Sequence, residues 1–228
     1  MKVVLQKFIA DSGYCSRRKA EDLIRAKRVN VNKKKAELGM KVSDEDLVEI
    51  AGKKVERNKE DVYIALNKPK GYTCSNRKFR GEKNIFDLVK NDNRLFVVGR
   101  LDRDSQGLVL LTNDGELAQS ISHPSYESEK KYFVETDKLQ ERPEDIIKKL
   151  KKGVDIKDGD GIVWVKAIRH IAGSNFEIVL IEGKKRQIRR MFLALGIKVL
   201  KLKRISIGRL KLGNLREGSW EYINKSKI

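Results

Sequence analysis

The sequence is poor in the residues around which metal and thiol chemistry is usually built. Its two histidines, His123 and His170, stand far apart, so a histidine-based metal site or a Ser-His-Asp arrangement has little to build on. Its two cysteines, Cys15 and Cys74, have no CxxC partners. With nothing else suggesting secretion, they read as thiols of a reducing cytoplasm. No apolar run approaches the length that spans a membrane. The opening run Met1-Lys-Val-Val-Leu-Gln-Lys7 breaks its apolar residues with Gln6 and Lys7, so no signal peptide is expected. There is neither a GxxxxGK[ST] phosphate loop nor a GxGxxG after a strand, which argues against nucleotide hydrolysis and dinucleotide use. No glycine-rich strand-to-helix turn of the kind that cradles a methyl donor stands out either.

What the chain has in excess is positive charge: 51 Lys+Arg against 32 Asp+Glu, a net charge of +19 spread along its length. Such a surface suits a polyanion, because each neutralised phosphate releases condensed counterions; a generally basic proteome would leave the same bulk signature. With 228 residues, 39% of them hydrophobic, the chain can bury a real core in one large domain, or in a small one plus a medium one.

Residues 1–57 read as a small separate unit. Leu5, Phe8 and Ile9 fall at helical spacing, with Gly13 placed to follow a helix end. Ser16 is positioned to cap a second helix with Ala20, Leu23 and Ile24 inward. Arg18, Glu21, Arg25 and Arg28 then share its outer face, with Arg17 at the edge. Strands are expected over Val29–Asn32 and Asp46–Ile50, with a turn at Lys33–Lys35 between them. A basic helix face is ordinarily just solvated. Here, however, the run from Cys15 to Arg25 followed by Arg28-Val-Asn-Val-Asn32 resembles the αL RNA-binding module. The match covers most of residues 1–52 and implies that Ser16, Arg17, Arg18, Arg25 and Arg28 contact an RNA backbone.

Polar residues Val55–Asp61 fit a linker to a second domain, residues 62–228. Strands are expected at 62–66, 95–98, 108–112, 131–135, 162–165 and 176–181, and helices near 85–90, 115–122, 143–151 and 184–195. Helices scattered irregularly among strands point to an α+β domain with a mixed, mainly antiparallel sheet.

Three features of this second domain could carry chemistry. Asp102 lies on a short link between two apolar strands, flanked by Arg100 and Arg103 and bracketed by Gly99 and Gly107, which allow a tight turn and a close ligand approach. A carboxylate beside cations stays ionised and can act as nucleophile or base. An Asp that merely caps a turn would leave the same local pattern, and Asp104 is the nearest rival. Glu182-Gly-Lys-Lys-Arg-Gln-Ile-Arg-Arg190 leads a strand into a helix, a basic entrance able to bind phosphate through Lys185, Arg186 and free backbone N–H groups. Ile188, Phe192 and Leu195 mark the buried stripe of that helix, leaving Arg186 and Arg190 outward and Arg189 at the core boundary. There Arg189 needs a carboxylate, with Asp102 the candidate partner. Tyr132, on a strand, is ordinarily core; in a nucleic-acid enzyme it can stack on an extruded base.

Gly99-Arg-Leu-Asp-Arg-Asp-Ser-Gln-Gly-Leu-Val-Leu-Leu-Thr-Asn-Asp-Gly115 resembles the active-site signature of the pseudouridine synthases of the RsuA/RluB type. Asn67-Lys-Pro-Lys-Gly71, His123-Pro-Ser-Tyr126 with Lys130-Lys-Tyr132, the run Glu182–Phe192, and the C-terminal Leu202-Lys-Arg204, Gly208 and Leu215-Arg-Glu-Gly218 match its other motifs in order. Glu221 after Trp220 departs from it, where such proteins commonly carry Arg. With the αL module in front, the resemblance spans nearly the whole chain. It implies a mixed sheet with a central cleft, no cofactor and no metal. It makes Asp102 the essential carboxylate, Tyr132 the base-stacking aromatic and Arg189 the partner of Asp102, with Lys68, Lys70, Arg100, Lys185, Arg186 and Arg190 on the RNA. The substrate it implies is a uridine of ribosomal RNA, free or in a pre-ribosomal particle, the large subunit favoured over the small, acted on by a monomer in the cytoplasm. A non-catalytic ribosome-assembly factor and an RNA methyltransferase are the competing functions.

Overall fold

The computed structural model describes residues 2–57, 60–137, 139, 141–157 and 159–228. Asn58 and Lys59, within the expected linker, lie outside the described residues. The chain divides into two compact units, one formed by Met1–Val62, Asn91–Phe96 and Thr112–Gly115, the other by Tyr63–Lys90, Val97–Leu111 and Glu116–Ile228.

The first unit runs β1 (Val3–Val4), α1 (Leu5–Asp11), α2 (Arg17–Arg25), β2 (Val29–Val31), β3 (Lys34–Lys35), β4 (Lys41–Val42), β5 (Val48–Ile50) and β6 (Lys53–Lys54). A four-stranded sheet of order β3-β2-β5-β6 and the small pair β1-β4 frame it. Its core holds Leu5, Phe8, Ile9, Leu23, Ile24 and Val29 among others. The inward positions of both helices are thus the ones their spacing marks out. Ser16 caps α2 by accepting from the Lys19 backbone N–H at 3.2 Å. The expected turn at Lys33–Lys35 is shorter than its composition suggests: Asn32 and Lys33 take positive φ of 50° and 65°, and Lys34–Lys35 already pairs with β2. A two-residue loop of left-handed residues matches the twist of a hairpin.

The rest of the chain runs β7 (Tyr63–Lys68), β8 (Phe96–Val98), β9 (Gln106–Thr112), α3 (Gly115–Ser122), β10 (Lys130–Thr136), α4 (Pro143–Lys152), β11 (Val154–Asp155), β12 (Ile162–Val163), β13 (Ala167–Ala172), β14 (Asn175–Leu180), α5 (Gln187–Ala194), β15 (Val199–Ile207), β16 (Leu210–Lys211) and β17 (Trp220–Tyr222). Its main sheet has the order β13-β14-β10-β15-β9-β7-β17, with β16 on β15 and β8 on β9. The pairs β10–β14, β10–β15, β13–β14, β15–β16 and β7–β17 are antiparallel, whereas β15 meets β9 in parallel through Lys203–Gln106 and Arg204–Gly107. The sheet is therefore mixed and mainly antiparallel. Val134, Phe176, Ile178, Ile188 and Phe192 belong to one apolar cluster; Tyr63, Val98, Leu108, Leu110 and Ile207 belong to another.

Several boundaries differ from expectation. The segment near 85–90 is a single 3-10 turn, Ile85–Asp87, capped by Asn84 and Asp87 reciprocally. Only Ile162–Val163 of 162–165 is strand, paired with β11, and Trp164 is 59% exposed. Helix α5 starts at Gln187 rather than 184 because Arg186 takes a left-handed φ of 53°, which ends the preceding loop abruptly.

Candidate active site

The link from β8 to β9 carries Asp102 and turns tightly, the Ser105 N–H donating to the Asp102 carbonyl at 3.1 Å. Two buried cations hold this link from below. Lys68, at the end of β7, is fully buried. Its ammonium donates to the carbonyls of Ser105 at 2.6 Å, Pro69 at 3.1 Å and Arg103 at 3.4 Å. Arg204, 1% exposed on β15, donates from Nε to the Leu108 carbonyl at 2.7 Å and from Nη2 to the Gly99 carbonyl. The two bracketing glycines meet this guanidinium-bearing residue directly. Gly99 has φ +66°, and a Cβ there would lie 3.3 Å from Arg204 Nη1; Gly107 has φ +104°, and its Cβ would fall 2.3 Å from the Arg204 carbonyl oxygen. Glycine is required at both places by conformation, and at Gly107 also by space.

Above the link lies a cavity of about 580 Å³ lined by Arg100, Asp102, Tyr132, Lys185 and Arg186, together with Lys130, Arg204 and Cys74. Asp102 and Tyr132 therefore share one cavity with three of the expected RNA contacts, Arg100, Lys185 and Arg186. Asp102 is half-buried, and Arg186 Nη1 stands 3.9 Å from its Oδ2. Tyr132 faces the cavity while packing on its inner side against the core.

Other expectations are corrected. Arg189 does not pair with Asp102. It donates to the Val199 carbonyl at 2.8 Å and the Asp104 carbonyl at 3.0 Å, and its Nε lies 3.3 Å from the Asp104 carboxylate. Asp104 also accepts both terminal nitrogens of Arg186 at 2.8 Å. Arg186 holds the Asp104 carboxyl below the usual range, against the opposing effect of burial; burial in turn pushes the Arg189 guanidinium down. The carboxylate that sequence position made a rival is thus the one that forms an ion pair with the boundary arginine. Lys68 cannot touch RNA, because its ammonium is spent on backbone carbonyls inside the protein. Burial lowers its pKa to about 8. Arg190 is likewise committed inward. It donates to the carbonyls of Ile156 and Lys157 at 2.6 Å and pairs with Asp160 at 2.5 Å, because the loop after β11 curls over its helix face. Lys70 is exposed and lines a separate cavity of about 430 Å³ with Asp104, Arg189 and Leu193.

In the first unit, Ser16, Arg17, Arg18, Arg25 and Arg28 are all exposed. The four arginines have no ion-pair partner among the described residues, which leaves them open to a polyanion.

Arg204 and Lys130 also line the cavity; in the sequence they stand only as members of the matching motifs, with no role given to either. Their signal was the alternation of β15 and the Lys-Lys-Tyr run of β10, where charged residues fall on the buried face.

The description "RNA pseudouridylate synthase" belongs to the family model that matches residues 62–194, and an S4 domain model matches residues 5–48. Ribosomal large subunit pseudouridine synthase B of Bacillus subtilis (strain 168) is 40% identical over 220 residues, spanning 94% of this chain and 89% of that protein. Dual-specificity RNA pseudouridine synthase RluF of Escherichia coli (strain K12) is 39% identical over 230 residues, 99% of this chain and 77% of that one. A crystal structure of a pseudouridylate synthase, 30% identical, aligns with a TM-score of 0.72 over 99% of this chain and 97% of the other.

Proposed function

This chain belongs to the RNA pseudouridylate synthase family and carries an S4 domain, and on that premise we propose that it converts a uridine of ribosomal RNA to pseudouridine with Asp102 as the catalytic carboxylate. The observation that carries this reading is the cavity in which Asp102, Tyr132 and Arg186 converge. The reaction breaks the ribose C1′–N1 bond, turns the base, and joins C5 to C1′. Asp102 either attacks C1′, giving a sugar ester, or takes the 2′ proton, giving a glycal; both need an ionised carboxylate at the ribose. Arg186 is the cation beside it. Tyr132 offers a face on which the extruded uracil stacks, offsetting part of the unstacking cost of a few kcal/mol. Arg100 and Lys185 take phosphates at the rim. Arg189 serves this arrangement at one remove, by holding Asp104.

In this reading residues 1–57 form the RNA-binding domain and 62–228 the catalytic one. The partner is ribosomal RNA or a pre-ribosomal particle, large-subunit RNA before small, and the enzyme is a cytoplasmic monomer. The name of the Bacillus relative supports the large-subunit choice.

The test exploits the C5–H bond that must break. Unmodified ribosomal RNA transcripts labelled with tritium at uridine C5 should release tritium to water with the parent protein and not with Asp102→Asn, while that variant binds the same RNA within about threefold of the parent. Release by Asp102→Asn at the parent's rate would remove Asp102 from the chemistry.

A further inference from the structure

We propose that Lys130 is a further catalytic residue, whose side chain is largely buried and whose ammonium opens to the cavity, where it donates to a carbonyl oxygen of the target uracil and stabilises the negative charge the base acquires when it leaves the ribose. The inference rests on the assignment of Asp102 above.

Lys130 opens β10, which pairs regularly with β14, Lys130 facing Leu180 and Tyr132 facing Ile178. Residues two apart on a strand leave the same face, about 7 Å apart, and both Lys130 and Tyr132 line the Asp102 cavity. Lys131 between them leaves the other face, where its ammonium meets Glu177 at 3.3 Å. A base stacked on Tyr132 therefore has Lys130 beside its edge.

The other cations of the cavity are committed or superficial. Arg204 donates to Leu108 and Gly99, Arg186 to Asp104, and Lys184 to the Asp160 carbonyl, while Arg100 and Lys185 are exposed. Lys130 is only 9% exposed and has no hydrogen-bond or ion-pair partner among the described residues. Burial and the Arg204 charge both push its pKa down, so folding alone gives no reason to keep a cation there. An anion arriving with the substrate does.

Both routes supply that anion. When C1′–N1 breaks, its electron pair stays with the base, giving a uracilate whose charge is shared by N1, O2 and O4. C1′ is meanwhile held as the Asp102 ester, or as the glycal after its 2′ proton has passed to Asp102. C5 then bonds to C1′, the ester oxygen or the glycal double bond being released in the same step, the latter with return of the 2′ proton. The C5 proton leaves to water and N1 takes one up, so that the product is an isomer. A donor placed on O2 or O4 meets more charge in the cleavage transition state than in bound uridine, which is the condition for acceleration.

Lys130→Met is expected to slow single-turnover tritium release at saturating RNA at least a hundredfold. It should leave RNA affinity within threefold and the salt dependence of binding unchanged. It should also melt at or above the parent's temperature, since it removes a charge that partial desolvation and Arg204 both disfavour. Lys130→Gln, which keeps an uncharged N–H donor, is carried through the same measurements in case methionine disturbs packing. An unchanged rate in either folded variant overturns the proposal. So does a loss confined to affinity and salt slope, which would make Lys130 a phosphate contact, or a lowered melting temperature in both variants, which would reveal a protein partner. If the parent itself releases no tritium, the functional assignment fails instead.

Discussion

Arg186 faces two carboxylates of one loop and holds them unequally: both of its terminal nitrogens donate to Asp104 at 2.8 Å, while Asp102 stands 3.9 Å away. A bidentate pair fixes the guanidinium plane, so Asp104 sets where Arg186 points. Asp102 gains a nearby positive charge without surrendering its oxygens to a tight pair. Asp104 is in this sense a positioning residue, and Arg189 anchors it.

Asp104→Asn is expected to lower kcat/KM about ten- to a hundredfold while RNA still binds, because Arg186 and Arg189 lose the anion between them. Asp104 titrates below its ordinary value of 3.8 in the folded protein. Its stabilising contribution is therefore complete above that value and disappears as pH falls through the lower folded one. Melting temperatures of parent and variant should differ at pH 7 and converge in acid; a gap that persists at the lowest accessible pH counts against the arrangement.

Lys68 gives the opposite dependence. Its folded pKa, about 8, lies below the ordinary 10.5. At neutral pH both folded and unfolded chains hold the proton, and the cost of burying it is fully present. Between pH 8 and 10.5 the folded chain releases the proton first, so this residue's contribution becomes more favourable by about 3 kcal/mol. Urea unfolding of parent and Lys68→Met at pH 7 and 10 should show the parent gaining on the variant as pH rises. A constant difference would contradict the buried ammonium. The variant should also lose at least tenfold in activity, since three carbonyls of the Asp102 link and its approach lose their donor.

Gly107→Ala should destabilise the fold by about 3 kcal/mol or more, since the new methyl would lie 2.3 Å from a backbone oxygen at a φ of +104°. Gly183→Ala, with nothing within 4 Å of its Cβ position, is the control and should unfold with the parent's midpoint. Equal midpoints for all three proteins would mean that β9 and β15 do not approach as described.

Replacing Arg18 and Arg25 together should weaken RNA binding and reduce the slope of log K against log salt by roughly 0.7–0.9 for each phosphate left without its cation. Tritium release at saturating RNA should be unaffected. An unchanged slope would place the RNA elsewhere than on α2.

Much of this architecture can be read from residue order. The helical spacing of Leu5, Phe8 and Ile9, the Ser16 cap, the apolar strands around Asp102 and the mixed sheet follow from local chemistry that tertiary contacts reinforce. What local pattern cannot supply is the partner of a charged residue. Arg189 sits at a core boundary as its position on α5 implies, yet which of two aspartates two residues apart it meets depends on the turn geometry between them. Lys68 and Arg190 look like surface cations because lysine and arginine usually are. Most of their acceptors are backbone carbonyls on other segments, which side-chain identity does not disclose. The burial of Arg204 is hidden for the same reason.

The parallel contact between β9 and β15 also has a temporal side. Arg204 secures a link that precedes it by 96 to 105 residues, a separation whose closure is slow relative to hairpin formation. On the ribosome, Asp102 emerges long before the arginine that shapes its loop has been synthesised. A nascent chain can bring α1 and α2 together while the loop of Asp102 is still unset. The loop of Asp102 takes its final form only once β15 has been made.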